Sequence, residues 1–499
     1  MTATALEPTG EAAMDTTDVM PEDGARAGRR AAGASAGTAG NAETAESAAS
    51  TGPSEMRAAR NAETTGSGEM SAARNAEAPA SAETAGPAEL IPLRRNRNFN
   101  LLWGGAVSAM LGLSTADIAY PLVILALTGS PLKAGLFATV QLIASVLATL
   151  PVGQLMDRKD RRRLLLLAES LRVVASGSVA VAYFLGALTF WHLLLTAAAL
   201  GAIQPFAGAR TLLLRQVVAP EQIPAALTAE QVRQQGCELA GPPLGGALFG
   251  ISRALPFLFA MVAGLVSLLT VVLLKLPKSV TLAADQAGDA AGTGADTERG
   301  GALLGLKTIM RDPVMRATTL ALCLVNTAGY PVFLSLVVRM HQQHAASGTT
   351  GLVIGAMALG GLVGTVLVKP LHKVMRPGWL LIVACLVFAV ANFGMTFVAA
   401  PAADAAFLAL SGAVIPSAVV MVNVLILQAV PDEERGRTSA ALNMFLLIGM
   451  PAGMLVASAA LQWFSPTGTL LGLSLLMTVP VLYSVSQKAL RAAQWPDAQ

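Results

Sequence analysis

The sequence predicts an all-α integral membrane protein: twelve transmembrane helices in two pseudo-symmetric halves of six, preceded by a disordered N-terminal tail. Three observations lead there. The 499 residues are 54% hydrophobic and only 13% charged, against about 25% charged in an ordinary soluble chain. From Leu101 onward, apolar runs of about 20 residues alternate with short polar breaks, and about 20 helical residues cross a bilayer core. The basic residues, finally, gather on alternate breaks. Runs of this length are too long for barrel strands, and lipid admits only helices or closed barrels.

Residues 1–93 are rich in Ala, Gly, Glu, Ser and Thr and nearly free of aromatic and β-branched apolar residues. Such a segment buries too little surface to offset its ordering entropy, so a disordered cytoplasmic tail is expected. Gly68–Glu77 echoes Ser54–Glu63, a degenerate repeat with no hydrophobic face. The tail has no apolar core of the signal-peptide kind.

The spans are expected near 101–127, 134–156, 164–185, 191–214, 225–250 and 254–276, which makes 94–276 the first half. A loop at 277–314 follows. The second half, 315–487, has spans near 315–337, 348–370, 377–399, 404–429, 438–463 and 467–487. Residues 488–499 form a short C-terminus. Arg94, Arg95, Arg97 and the run Arg158 to Arg163 share one side with Lys278, Lys307, Lys369, Lys373, Arg435 and Lys488, while the other side has mainly Lys133, Arg253 and Arg339. The positive-inside rule then places both termini in the cytoplasm of a plasma-membrane protein. A duplication shows faintly: Gly241-Pro242-Pro243-Leu244-Gly245 in the fifth span is echoed by Gly449-Met450-Pro451-Ala452-Gly453 in the eleventh, as expected of a two-repeat transporter.

Several function classes are disfavoured. A net charge of +3 gives nucleic acid no electrostatic hold. Cys237, Cys323 and Cys385 have no metal-ligand spacing and read as small packing residues. There is no Gly-x-x-x-x-Gly-Lys-Ser/Thr stretch for nucleotide and no His-Glu-x-x-His for zinc. No enzyme activity, metal or cofactor is expected.

The most specific segment runs Gly153-Gln154-Leu155-Met156-Asp157-Arg158-Lys159-Asp160-Arg161-Arg162-Arg163. A glycine there lets a neighbouring helix approach, and the acid can pair with arginines or face a helix N-terminus. The segment resembles the loop between spans two and three of the major facilitator superfamily, matching at Gly153, Asp157, Arg158, Arg161 and Arg162. The resemblance implies a latch that holds the two halves in one state and releases them in the other. Asp160 departs from it, since the family usually has glycine there. The corresponding loop of the second half keeps Lys369, His372, Lys373 and Arg376 but has no acid.

Gly241, Pro242, Gly245 and Gly246 resemble a motif of the superfamily's proton-coupled drug exporters. Proline bends a membrane helix and glycines permit tight packing; ordinary helix packing would use the same residues. Arg95-Asn96-Arg97-Asn98-Phe99, Thr128-Gly129-Ser130-Pro131 and Glu169-Ser170-Leu171-Arg172 resemble the macrolide-efflux and enterobactin-exporter-like branch. The resemblance spans residues 94–490 and implies a monomeric exporter of small organic molecules, powered by the proton gradient.

Ionisable residues at membrane depth are costly and should face a cavity or a partner. Asp117 is the first candidate for proton coupling, Glu238 the second and Glu230 the third, although Leu113 occupies the place where this branch most often carries its first-helix acid. Glu169, Arg172, Arg210 and Arg233 are candidate charge partners. Glu230, Gln234 and Glu238 fall on one helical stripe. Gln234, Asn326 and Asn423 are candidate polar groups of a cavity, and an apolar, Met-containing second half suits amphiphilic or cationic organic substrates. The alternatives are proton-coupled uptake and, from another class, a membrane-embedded enzyme or a non-transporting member of the fold.

Overall fold

The computed structural model describes residues 92–274 and 305–492. The expectations for the tail up to residue 91, for most of the central loop and for residues 493–499 lie outside these. Fifteen α-helices are described: α1 (Arg97–Thr128), α2 (Pro131–Arg158), α3 (Arg161–Phe184), α4 (Phe190–Ile203), α5 (Ala207–Val217), α6 (Ile223–Ile251), α7 (Leu255–Val272), α8 (Pro313–Gln342), α9 (Ser347–Val374), α10 (Pro377–Phe397), α11 (Pro401–Ala429), α12 (Asp432–Trp463), α13 (Pro466–Leu476), α14 (Thr478–Ser486) and α15 (Lys488–Ala492). A 3-10 turn at Gln204–Phe206 joins α4 to α5, making one bent span; α13 and α14 likewise form one span.

Eleven stretches among the described residues are long and apolar enough to cross a membrane. The twelfth expected span is α6, which has the length at 29 residues but carries Glu230, Gln231, Arg233, Gln234, Gln235 and Glu238 along its first half. Its membrane depth follows from packing on α1, α7 and α9.

The helix ends follow local chemistry. Asn96, Ser130, Thr189, Asp312 and Ser465 each accept a backbone N–H of the first turn of the helix that follows, satisfying a donor that has no intrahelical partner. Gly129 closes α1 in the left-handed conformation at φ 63°, where a side chain would be strained. One expectation needs correcting: residues 305–311, placed in the central loop, are helical. Ile309 is fully buried there against Met315, Ile426 and Val430, so apolar contact with the second half orders this stretch.

The packing repeats. In the first half α1 contacts α6 and α7, α2 contacts α4, and α3 contacts α7; in the second, α8 contacts α12 and the α13–α14 span, α9 contacts α11, and α10 contacts α13 and α14. The echoed glycine segments occupy matching places. A Cβ on Gly241 or Gly245 would press into Ser114 or Thr115 of α1, and one on Gly449 or Gly453 into Thr327 of α8.

The halves meet chiefly along two helix pairs, α2 with α12 and α6 with α9, with α1 against α8 between them. Close backbone approaches lie at the end remote from the N-terminus. Gly246 meets Ser347, Gly351 meets Pro242 and Gly355 meets Pro243, and Ser130 Oγ bonds Gln462 Oε1 at 3.0 Å. At the opposite end a Cβ on Gly153 would meet nothing within 4 Å. The close approaches between the halves thus lie at the end away from Arg97 and Ala492.

Candidate functional site

A cavity of about 560 Å³ lies between the halves. From the first half α1 supplies Ser114 and Asp117, α2 supplies Gln141, α3 supplies Arg172, and α6 supplies Gln235 and Glu238; Tyr330, Phe333, Met357 and Met454 come from the second. Its charged groups all belong to the first half.

Asp117 is exposed to this cavity and makes no hydrogen bond or ion pair among the described residues. Arg172 and Tyr330 line the same cavity. Position 117 lies one turn along α1 from Ser114 and Thr115, against which Gly241 and Gly245 of α6 are pressed. The other face of α6 meets α9 through Pro242, Pro243 and Gly246. One helix therefore touches both the turn that carries Asp117 and the opposite half. Removing the Cβ at these positions is what allows backbone-to-backbone contact.

Behind Arg172 stands a buried charge cluster. Glu169, 1% exposed, receives Arg172 Nη1 on Oε2 at 2.8 Å and Arg210 Nη2 on Oε1 at 2.8 Å. Arg210 also donates to Leu102 O at 3.1 Å and to Ser267 Oγ at 2.9 Å, tying α1, α3, α5 and α7 together. Two arginines share one carboxylate, so Arg172 is left with charge to direct at the cavity. A buried charge persists only when it is paired and hydrogen-bonded in this way.

The other expected acids sit differently. Glu230 is paired with Arg233, whose Nη1 also donates to Ala106 O at 3.1 Å; this pair fastens α6 to α1. Glu238 lines the cavity and accepts from Gln234 Nε2 at 3.1 Å, while Gln234 is otherwise exposed and Gln235 takes the lining position. Asn326 and Asn423 line a second cavity in the second half.

In the loop motif, no helix approaches Gly153 closely among the described residues: a Cβ there would meet nothing within 4 Å. The side chain of Asp157 lies outside the described residues. Arg158 is exposed and Arg161 half-buried. Arg162 donates from Nε to Val271 O at 3.2 Å and from Nη2 to Val272 O at 2.7 Å, holding the last carbonyls of α7, where a cation is favoured. Asp160 caps α3 by accepting from Arg162 N at 2.9 Å, so the residue that departs from the family pattern has a structural task.

A second buried ion pair, Arg339 with Asp404, was not foreseen. Arg339 is 3% exposed and Asp404 fully buried, and Arg339 Nη1 donates to Met395 O at 2.6 Å. Arg339 reads in the sequence as a flanking charge because the apolar run ends near 337, yet α8 continues to Gln342. No local signal connects residues so far apart in the chain.

The fold is similar to a bacterial homologue of the human lysosomal transporter Spinster in an inward-facing, unoccupied conformation: TM-score 0.61, 14% identity, covering 81% of this chain and 99% of that one. It is also similar to a bacterial homologue of the iron transporter ferroportin in an inward-facing state, with TM-score 0.57, 19% identity, and 79% and 100% covered. A POT family transporter in complex with 5-aminolevulinic acid gives TM-score 0.59 at 10% identity, with 78% and 95% covered. At these identities the likeness speaks for the fold alone. No curated protein matches the sequence. The profile of the Major Facilitator Superfamily matches residues 102–454, and the chain belongs to that family.

Proposed function

We propose that this protein exports small organic molecules across the plasma membrane in exchange for protons, by alternating access of the central cavity. The observation that carries the reading is Asp117: an unpaired carboxylate at membrane depth, facing the cavity, on the turn of α1 that α6 contacts. An ionisable group at such depth is costly unless it functions. Arg172 lines the same cavity, and a carboxyl facing a cavity that opens to alternate sides can take up and release a proton. By the positive-inside rule the Arg158–Arg163 loop would face the cytoplasm, and substrate would enter from that side. Glu238 on the facing wall gives the site a second acid, and with the apolar second half this suits cationic or amphiphilic organic molecules. The glycine–proline segment of α6 supports export over uptake through its resemblance to exporter sequences. The protein would act as a monomer.

The test is an efflux screen of varied organic cations in a pump-deficient host, with and without a protonophore. Export that stops with the protonophore and with Asp117→Asn is expected. Export unaffected by either would overturn the proton-coupled reading, and accumulation in place of efflux would establish uptake.

A further inference from the structure

The second cavity, about 480 Å³, differs in kind from the central one. It reaches past α8, α11 and α12 to α10, a helix that packs within its own half on α11, α13 and α14. The pocket therefore penetrates the second six-helix bundle. No Asp, Glu, Lys, Arg or His lines it among the described residues; its polar lining is chiefly asparagine, at 326, 392, 423 and 443.

Asn392 is 1% exposed. Its Nδ2 donates to Phe388 O at 2.6 Å, which fixes the amide orientation, because the carbonyl oxygen could not face another acceptor. The Oδ1 is left buried with no hydrogen-bond partner. An unmet buried acceptor is costly, and buried polar groups almost always find a donor. Asn423 and Asn443 are exposed to the cavity and offer further amide groups. The volume is that of a pocket for a drug-sized ligand. Tyr330, Phe333, Met357 and Ile415 line both cavities, so the two adjoin.

We infer that this cavity is a second ligand-binding site, separate from the charged one, for an uncharged and largely apolar molecule with an N–H or O–H donor. Asn423 and Asn443 meet its polar atoms at the cavity surface, and Asn392 Oδ1, buried in the same wall, accepts the donor after a shift of the side chains that cover it. A cation is disfavoured because nothing in the lining compensates its desolvation. The inference holds whichever direction the transporter runs.

The experiment uses the full chain in lipid nanodiscs and N-phenyl-1-naphthylamine, an uncharged fluorophore with one N–H, with empty nanodiscs as the blank. Saturable binding above the blank is expected, weakened about tenfold by Asn392→Leu, the scale of one lost hydrogen bond. Asp117→Asn should leave it unchanged, and tetraphenylphosphonium should not compete. Should Asn392→Leu fail to fold, Asn423→Leu at its exposed position is expected to weaken binding as well. The inference is overturned by no saturable binding, by binding that survives both asparagine substitutions, or by binding lost on Asp117→Asn.

Discussion

The two halves repeat one packing plan but place their charge in opposite ways. In the first, Asp117, Glu238 and Arg172 face the central cavity, and the Glu169 cluster stands directly behind Arg172. In the second, the buried charge is the Arg339–Asp404 pair, shut into the end where the halves touch, and the cavity walls are neutral. A charge that faces changing solvent can respond to it, whereas one locked among carbonyls holds the scaffold. The duplication kept the frame and the two halves came to hold different chemistry.

The largest expected effect tests that contrast. Asp117→Asn should abolish transport driven by a pH gradient in proteoliposomes, while Asn326→Ala should leave the gradient dependence intact and change at most substrate affinity. If Asn326→Ala also removed gradient dependence, the division between the halves would fail. Next, Asp404→Ala should lower stability by about 3–5 kcal/mol, since it strands a buried arginine. Arg339→Met combined with Asp404→Leu should recover most of that loss in thermal unfolding, as a purely structural pair would. Gly245→Val overpacks the α1–α6 contact and should cost about 1–3 kcal/mol, with transport falling further than the lost folded fraction explains. Smallest is Arg162→Ala, which removes a cation from the end of α7 and should cost about 0.3–1 kcal/mol, read as a small shift in melting temperature.

Most of the fold was legible because lipid imposes a length on every span, so boundaries emerge from runs of apolar residues with little need for partner information. Where a run carries polar residues for another reason, as α6 does, the hydropathy signal weakens, and only the spacing of the polar breaks marks the span. The candidate site was half legible. Asp117 stands out as the lone acid of its helix, and Glu169, Arg172 and Arg210 stand out singly as costly residues. Their joining into one cluster depends on how α3 and α5 cross, which no spacing encodes. Arg339 and Asp404 escaped for the same reason, and each sits near a helix end where a charge looks ordinary. The neutral pocket was least visible, because asparagines in membrane helices read alike whether they bridge helices or line a void.

The double contact of α6 has a consequence in reciprocity. On the proposed mechanism, a helix held on one flank by the Asp117 turn and on the other by the opposite half makes carboxyl occupancy and the opening of the bundle two readings of a single equilibrium. Linkage then requires that a proton shift the opening by the same factor that opening shifts proton uptake. A crosslink between positions 246 and 347, neither of which titrates, should therefore alter how many protons the protein binds at fixed pH.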